Sequence, residues 1–206
     1  MQERRLPWLR RLAVLCVGMT ILLMGLGAWV KANNAGGACP DWPACYGRYL
    51  PPFPSQENGV TYHGQTVAYT EAQDLYEWTH RAVVSLLFWP VAAFAGLAVY
   101  SRDANPALRK LAASGLMLYV FQAGLGAVTV LLNPGGEPPA WAATAHLVTA
   151  TAFLTVLTVA ATLAYVKPEG VPEPAPAEAP KPRVVSYVYP EDKPAPGGPE
   201  AEAPDA

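Results

Sequence analysis

The stretch that decides the fold is residues 77–100, EWTHRAVVSLLFWPVAAFAGLAVY. The part from Ala82 to Tyr100 contains no Asp, Glu, Lys or Arg and has the length of roughly 20 residues that a helix needs to cross a bilayer. A histidine, His80, stands just before it. Because burying a polar side chain at membrane depth is costly, such a residue indicates a functional site by default.

Three further stretches contain no charged residue: 12–30, 111–132 and 140–166. Over the whole chain, 52% of the residues are hydrophobic. These patterns predict an all-α integral membrane protein with helices at about 12–30, 82–100, 111–132 and 140–166. The first stretch exceeds the roughly 7–15 apolar residues of a signal-peptide core, so we interpret it as a retained helix. Short links between the later helices predict an up-down four-helix bundle.

The basic residues predict the orientation of the bundle, because cytoplasmic loops carry an excess of Lys and Arg. Basic residues precede helix 1, lie between helices 2 and 3, and follow helix 4: Arg4, Arg5, Arg10, Arg11, Arg102, Arg109, Lys110 and Lys167. We therefore expect a multi-pass protein of the plasma (inner) membrane with both termini in the cytoplasm. No basic, aromatic-rich surface indicates a nucleic-acid partner.

Two segments lie outside the predicted helices. Residues 31 to about 75 form a long outer loop that contains Cys39 and Cys45. Residues 167–206 hold 11 of the chain's 22 prolines among alternating Glu and Ala. Such a composition cannot bury a core, so we predict a disordered cytoplasmic tail.

Two histidines are the main candidates for chemistry. His80 precedes helix 2 and His146 stands just inside helix 4, which predicts the same depth on the outer side. Two imidazoles at one level on two helices can bind a metal between them, most plausibly a heme iron. The alternative is an interfacial polar residue at one position and a hydrogen-bonding residue at the other. His63, in the outer loop, fits a surface position.

Glu77 lies three residues before His80, so both share a helix face. The carboxylate can orient the imidazole or accept a proton from a substrate. A Glu77–Arg81 ion pair at i, i+4 is an equal alternative. Cys39 and Cys45 lie outside, where thiols oxidise, so a disulfide is favoured over a metal site, and its role, structural or redox, stays open.

Four motifs in order resemble the heme A synthase family. Residues 37–47 (GACPDWPACYG) resemble its first outer loop, 77–81 (EWTHR) its Glu-x-x-His-Arg motif, and 122–130 (QAGLGAVTV) its third helix. His146-Leu147 matches its second histidine. The resemblance covers about residues 12–166. It implies oxidation of the C8 methyl of heme O to a formyl group, which gives heme A for cytochrome oxidase.

The resemblance also implies site residues and partners. His80 and His146 would bind the iron of heme O, heme b or both, Glu77 would be catalytic, and Cys39–Cys45 would be the outer-loop disulfide. Family members usually have eight helices in two halves, so we expect a homo-oligomer or a separate second half. Heme O synthase and cytochrome oxidase assembly factors are further expected partners, beside the lipid bilayer.

Two other functions compete with this one. The first is a heme-binding or electron-transfer membrane subunit without methyl-oxidising activity. The second is a thiol–disulfide membrane enzyme built on Cys39 and Cys45, which the lack of a second cysteine pair weakens. Glu77 favours the enzyme, because a pure electron carrier needs no carboxylate beside its ligand.

Overall fold

The computed structural model describes residues 5–51, 60–101 and 104–166. Four helices dominate this part of the chain: α1 (Arg5–Ala32), α2 (Glu71–Tyr100), α3 (Pro106–Leu131) and α4 (Ala140–Tyr165). All four are long and apolar enough to cross a membrane, which confirms the all-α membrane bundle. The predicted tail, residues 167–206, lies outside the described residues and stays a prediction.

The helices form a four-membered ring in which each packs against two others. The contacting pairs are α1 with α2, α2 with α3, α3 with α4, and α1 with α4. Helices α2 and α4 are therefore diagonally opposed, and so are α1 and α3. The helices α1 and α2 form one antiparallel pair, and α3 and α4 form another. The second helix of each pair, α2 or α4, lies opposite the other across the centre of the bundle.

Helix α2 begins eleven residues before the charge-free run that predicted it, at Glu71 rather than Ala82. The reason is a capping box: the Thr70 hydroxyl accepts a hydrogen bond from the Gln73 backbone N–H, and the Gln73 side chain accepts one from the Thr70 N–H. The additional turns carry Glu77 and His80 on a rigid helix.

Aromatic side chains mark both ends of the bundle. Exposed Trp29, Trp141 and Tyr49 lie toward the end with the long loop, and exposed Trp8, Tyr100 and Tyr165 lie toward the other. Such rings favour the two membrane–water interfaces. The buried core includes Leu9, Leu87, Phe94 and Leu157. At the loop end, Lys31 and Glu137 form an exposed ion pair of 2.7 Å.

The long outer loop packs on the extended start of α2. It contains a small antiparallel hairpin that the sequence analysis did not predict, with strands β1 (Val60–Tyr62) and β2 (Gln65–Val67). His63 lies at its turn and is exposed. A second hydrophobic cluster joins loop and helix through Cys39, Cys45, Tyr46, Val67, Tyr69, Leu75 and Trp78. The described parts of the loop, residues 33–51 and 60–70, therefore pack over one end of the bundle.

Candidate heme-binding site

His80 projects from α2 against the backbone of α1. A Cβ atom added at Gly27 would lie 3.1 Å from His80 Cε1, so the ring occupies the space that a larger residue would fill. His80 Nδ1 is buried and has no hydrogen-bond partner among the described residues. A buried nitrogen without a partner is costly unless a ligand or water satisfies it.

His146 makes the equivalent contact between α4 and α3. A Cβ atom added at Gly126 would lie 3.1 Å from His146 Cε1. The Gln122 amide nitrogen lies 3.0 Å from His146 Nδ1 and 3.3 Å from Nε2, and donates to the His146 carbonyl at 2.8 Å. Thr149 in turn donates to the Gln122 side-chain oxygen. This second imidazole is therefore held by a neutral hydrogen-bond network.

The two imidazoles lie at matching depth. Gly27 and Gly126 each stand five residues before the last residue of their helix, Ala32 and Leu131, which is about 7 to 8 Å at about 1.5 Å per residue. The rings belong to α2 and α4, the diagonally opposed helices. The two histidines that the sequence singled out therefore lie at one level of the bundle, on helices that face each other across it.

Glu77 lies one helical turn above His80 and is only 5% exposed. Its Oε1 accepts hydrogen bonds from Arg81 Nη2 at 2.8 Å and Nε at 3.1 Å. Its Oε2 is buried and has no partner among the described residues. The predicted pair with Arg81 therefore forms, while Oε2 stays available to another partner, and the catalytic role of Glu77 stays a prediction.

Arg81 also ties the outer loop to the site. Its guanidinium donates to three backbone carbonyls of the cysteine loop, those of Cys39, Asp41 and Ala44. The Cys39 and Cys45 sulfur atoms lie 1.96 Å apart, at bonding distance. One arginine therefore fixes both the Glu77 carboxylate and the loop above it.

Two tyrosines pack in the same loop region, Tyr46 buried and Tyr69 partly buried. Burial, together with Glu137, Glu77 and Asp74, raises the pKa of Tyr69 to about 12. Burial and then Asp74 also raise the pKa of Tyr46. Both phenols are therefore protonated at neutral pH, and the Tyr46 hydroxyl donates to Asp74 Oδ1 at 3.4 Å.

These residues fit a heme bound through two axial imidazoles. Each histidine faces a glycine on the neighbouring helix, so no β-carbon stands against Cε1 of either ring at that point. The unsatisfied Nδ1 of His80 shows that this ring is not fully occupied with protein hydrogen bonds. Two neutral imidazoles are common axial ligands of iron in electron-transferring hemes.

The comparisons with known proteins agree with this geometry. The family model described as cytochrome oxidase assembly protein (COX15-CtaA) matches residues 10–189. This chain belongs to that family. The resemblance to heme A synthases is confirmed as well. No solved structure matches the chain significantly.

Several curated relatives of this family member are heme A synthases. The Methylobacterium radiotolerans protein is 33% identical over 180 residues, which is 84% of this chain and 44% of the relative. The Shewanella oneidensis protein is 28% identical over 63% of this chain and 38% of the relative. The chain therefore spans less than half of the length of these relatives.

The sequence analysis missed the glycines that face the histidines. A repeated tetrapeptide would have revealed them: GLGA occurs at residues 25–28 and again at 124–127. Its third residue is Gly27 in one copy and Gly126 in the other, the two histidine contacts. The roles of Gln122 and Asp74 gave no comparable signal, because each depends on contacts made only in the folded chain.

Proposed function

We propose that this protein is a membrane oxidoreductase of the heme A synthase type, which oxidises the C8 methyl of heme O to a formyl group. The product, heme A, would serve the assembly of cytochrome oxidase. One observation carries the proposal: a buried carboxylate, Glu77, presents an unpartnered oxygen one turn from His80. Family membership and the matched histidines support it.

His80 and His146 would hold the substrate iron, or that of a heme b, from opposite sides of the bundle. The bound heme supplies the redox-active centre at which electrons leave the substrate. Oxidation of a methyl carbon also releases protons, which a nearby base must accept. We assign this role to Glu77, and two contacts support the assignment: Arg81 holds its Oε1, and its Oε2 has no partner among the described residues. The packed outer loop would exclude water from the reacting group.

Replacing Glu77 by Gln tests this assignment. Glutamine keeps an oxygen that accepts from Arg81 but cannot accept a proton. We expect heme content to stay normal while conversion of heme O falls by roughly 10²- to 10⁴-fold, the usual contribution of a general base. Glu71→Gln is the matched control, because Glu71 is an exposed carboxylate in the first turn of the same helix. Heme A formation near the normal rate in Glu77→Gln would refute a role as base.

The alternative function is a heme-binding or electron-transfer subunit that leaves the methyl group unchanged. It needs the two histidines but not Glu77. Extraction of the pigment from purified protein separates the two functions by mass, because the enzyme should yield heme A or its alcohol precursor. A pigment of heme O or heme b alone would favour the subunit.

We further propose a plasma-membrane location with both termini cytoplasmic, supported by the basic residues at the end of the bundle opposite the long loop. A homodimer, or a separate second half, would bring together two histidine pairs. Heme O synthase and cytochrome oxidase assembly factors are the proposed partners. The mass of the native complex in mild detergent measures its stoichiometry, and peptide mapping of unreduced protein detects a Cys39–Cys45 bond.

A further inference from the structure

Three buried polar atoms have no hydrogen-bond partner within the described residues, and all lie on one face of α2. They are Asp74 Oδ2, Glu77 Oε2 and His80 Nδ1. Their spacing of three residues stacks them along the helix axis, because residues at i and i+3 are neighbours on a helix surface. The helix runs inward from the outer loop, so Asp74 is the outermost of the three and His80 the innermost.

Asp74 is the member of this row that the proposed reaction does not yet use. It is completely buried, at 0% exposure, beneath the outer loop. Its Oδ1 accepts from the Tyr46 hydroxyl, while its Oδ2 is unsatisfied.

An anchoring role for Asp74 does not account for this arrangement. Holding Tyr46 requires a single acceptor oxygen, which a neutral asparagine supplies without the cost of burying a carboxylate. Leaving a buried polar oxygen unpaired destabilises a fold, so anchoring Tyr46 does not explain why a second carboxylate oxygen is kept there. The unpaired oxygen instead lies on the same helix face as the unpaired oxygen of Glu77.

We propose that Asp74 is a proton-relay residue that takes protons from Glu77 and passes them toward the outer aqueous side. This inference rests on the proposed function, in which Glu77 accepts protons from the oxidised methyl group. In the relay step, the O–H bond at Glu77 Oε2 breaks and an O–H bond forms at Asp74 Oδ2, through a bridging water molecule. Glu77 returns to the carboxylate form, Asp74 then releases the proton outward, and no electrons move in either transfer.

The test compares Asp74→Asn with Tyr46→Phe in the full-length, heme-loaded protein. Asp74→Asn preserves shape and the acceptor for Tyr46 but cannot carry a proton. Tyr46→Phe removes the hydrogen bond and leaves the carboxylate. We expect Asp74→Asn to retain heme and thermal stability. Its turnover should fall about 10-fold, which is less than the roughly 10²- to 10⁴-fold loss expected when a direct base is removed. Its solvent deuterium isotope effect should rise. Tyr46→Phe should keep most of the native turnover. Asp74→Glu should regain part of the turnover that Asp74→Asn loses, because it restores a carboxylate.

A second measurement does not depend on turnover or on folding of the asparagine variant. Infrared difference spectra of the native protein, recorded as the heme is reduced, should show a buried carboxyl C=O band that shifts in deuterated water. The Tyr46→Phe variant should displace the part of that band that comes from Asp74. A band unaffected by Tyr46→Phe would overturn the relay, because Asp74 would then take no part in proton movement.

The outcomes separate failure of the relay from failure of the proposed function. If Glu77→Gln is inactive while Asp74→Asn has normal turnover, the relay is wrong and the function stands. If Glu77→Gln forms heme A normally, Glu77 is not the base and the relay fails with it, while the methyl oxidation stands. If the native protein forms neither heme A nor its alcohol precursor from heme O, the proposed function fails, whatever Asp74→Asn does. If Asp74→Asn and Tyr46→Phe lose heme and stability equally, Asp74 is an anchor of the outer loop and the relay is overturned.

Discussion

The α1–α2 pair and the α3–α4 pair present the same contact in different surroundings. In each, a glycine on the first helix faces the Cε1 atom of a histidine on the second, at the same 3.1 Å for an added Cβ. Around His80 lie a buried carboxylate, an arginine and the packed outer loop. Around His146, an amide and a hydroxyl make the side-chain hydrogen bonds, and no charged group takes part in them among the described residues.

This difference separates two tasks that a heme site must perform. The α1–α2 half carries ionisable groups with unsatisfied oxygens, which are suited to moving protons. The α3–α4 half carries a neutral network that fixes an imidazole, as outer partners of ligating histidines generally do. Each half would contribute one heme ligand, but only the α1–α2 half would contribute groups that accept and transfer protons.

The largest expected effect comes from removing either imidazole. We expect purified protein to show the low-spin spectrum of a bis-histidine heme, and His80→Ala or His146→Ala to abolish it or convert it to high spin. Despite their different surroundings, the two variants should fail equally, because each imidazole would occupy one axial position. His63→Ala is the control, since His63 lies at the exposed turn of the hairpin.

Absorption spectra of the ferric and ferrous protein measure this outcome. A low-spin spectrum that survives in a protein with both histidines replaced would show that other residues bind the heme. A low-spin spectrum that survives one replacement but not the other would show that only one of the two histidines is needed to bind the iron.

Much of this comparison was predictable from sequence, and the limits are physical. The helices followed from charge-free runs, and the candidates His80, His146 and Glu77 were identified from their position just before or just inside those runs. Helix α2 extends further than its apolar run because a capping box, not hydrophobicity, begins it. The Gly27 and Gly126 contacts arise between helices distant in sequence, so helix patterning alone does not reveal them.

The second-largest expected effect comes from replacing Gly27 or Gly126, and its size should differ between the α1–α2 half and the α3–α4 half. An added methyl group at Gly27 or Gly126 would approach an imidazole carbon at 3.1 Å, closer than ordinary van der Waals contact, so the ring must yield. We expect Gly126→Ala to destabilise heme binding by about 1–3 kcal/mol, the usual cost of overpacking. Gly27→Ala should cost less, because His80 Nδ1 has no protein hydrogen bond to break as its ring moves.

Gly25→Ala and Gly124→Ala are matched controls in the same two tetrapeptides, since an added Cβ at either position meets nothing within 4 Å. Both should leave the heme spectrum unchanged and raise helix stability by roughly 0.5–1 kcal/mol. Heme retention during thermal unfolding measures all four variants. If Gly27→Ala and Gly126→Ala lose heme retention equally, the hydrogen bonds around His146 do not make that imidazole harder to displace than His80.

The smallest effect tests whether the neutral network of the second half positions its imidazole. If iron binds Nε2 of His146, Nδ1 carries the proton. The Gln122 amide nitrogen faces Nδ1 in this structure, so the amide would have to turn and present its oxygen to accept that proton. We expect Gln122→Ala to weaken heme affinity roughly 10-fold, at the lower end of the range for outer partners of metal ligands. Thr149→Val, which removes only the hydroxyl that orients the amide, should produce a smaller shift in the same direction. Heme titration of each variant, with the low-spin bands as the signal, gives the affinities. If Gln122→Ala binds heme as tightly as the native protein, the neutral network is packing around His146 and the two halves differ only in the acidic groups beside His80.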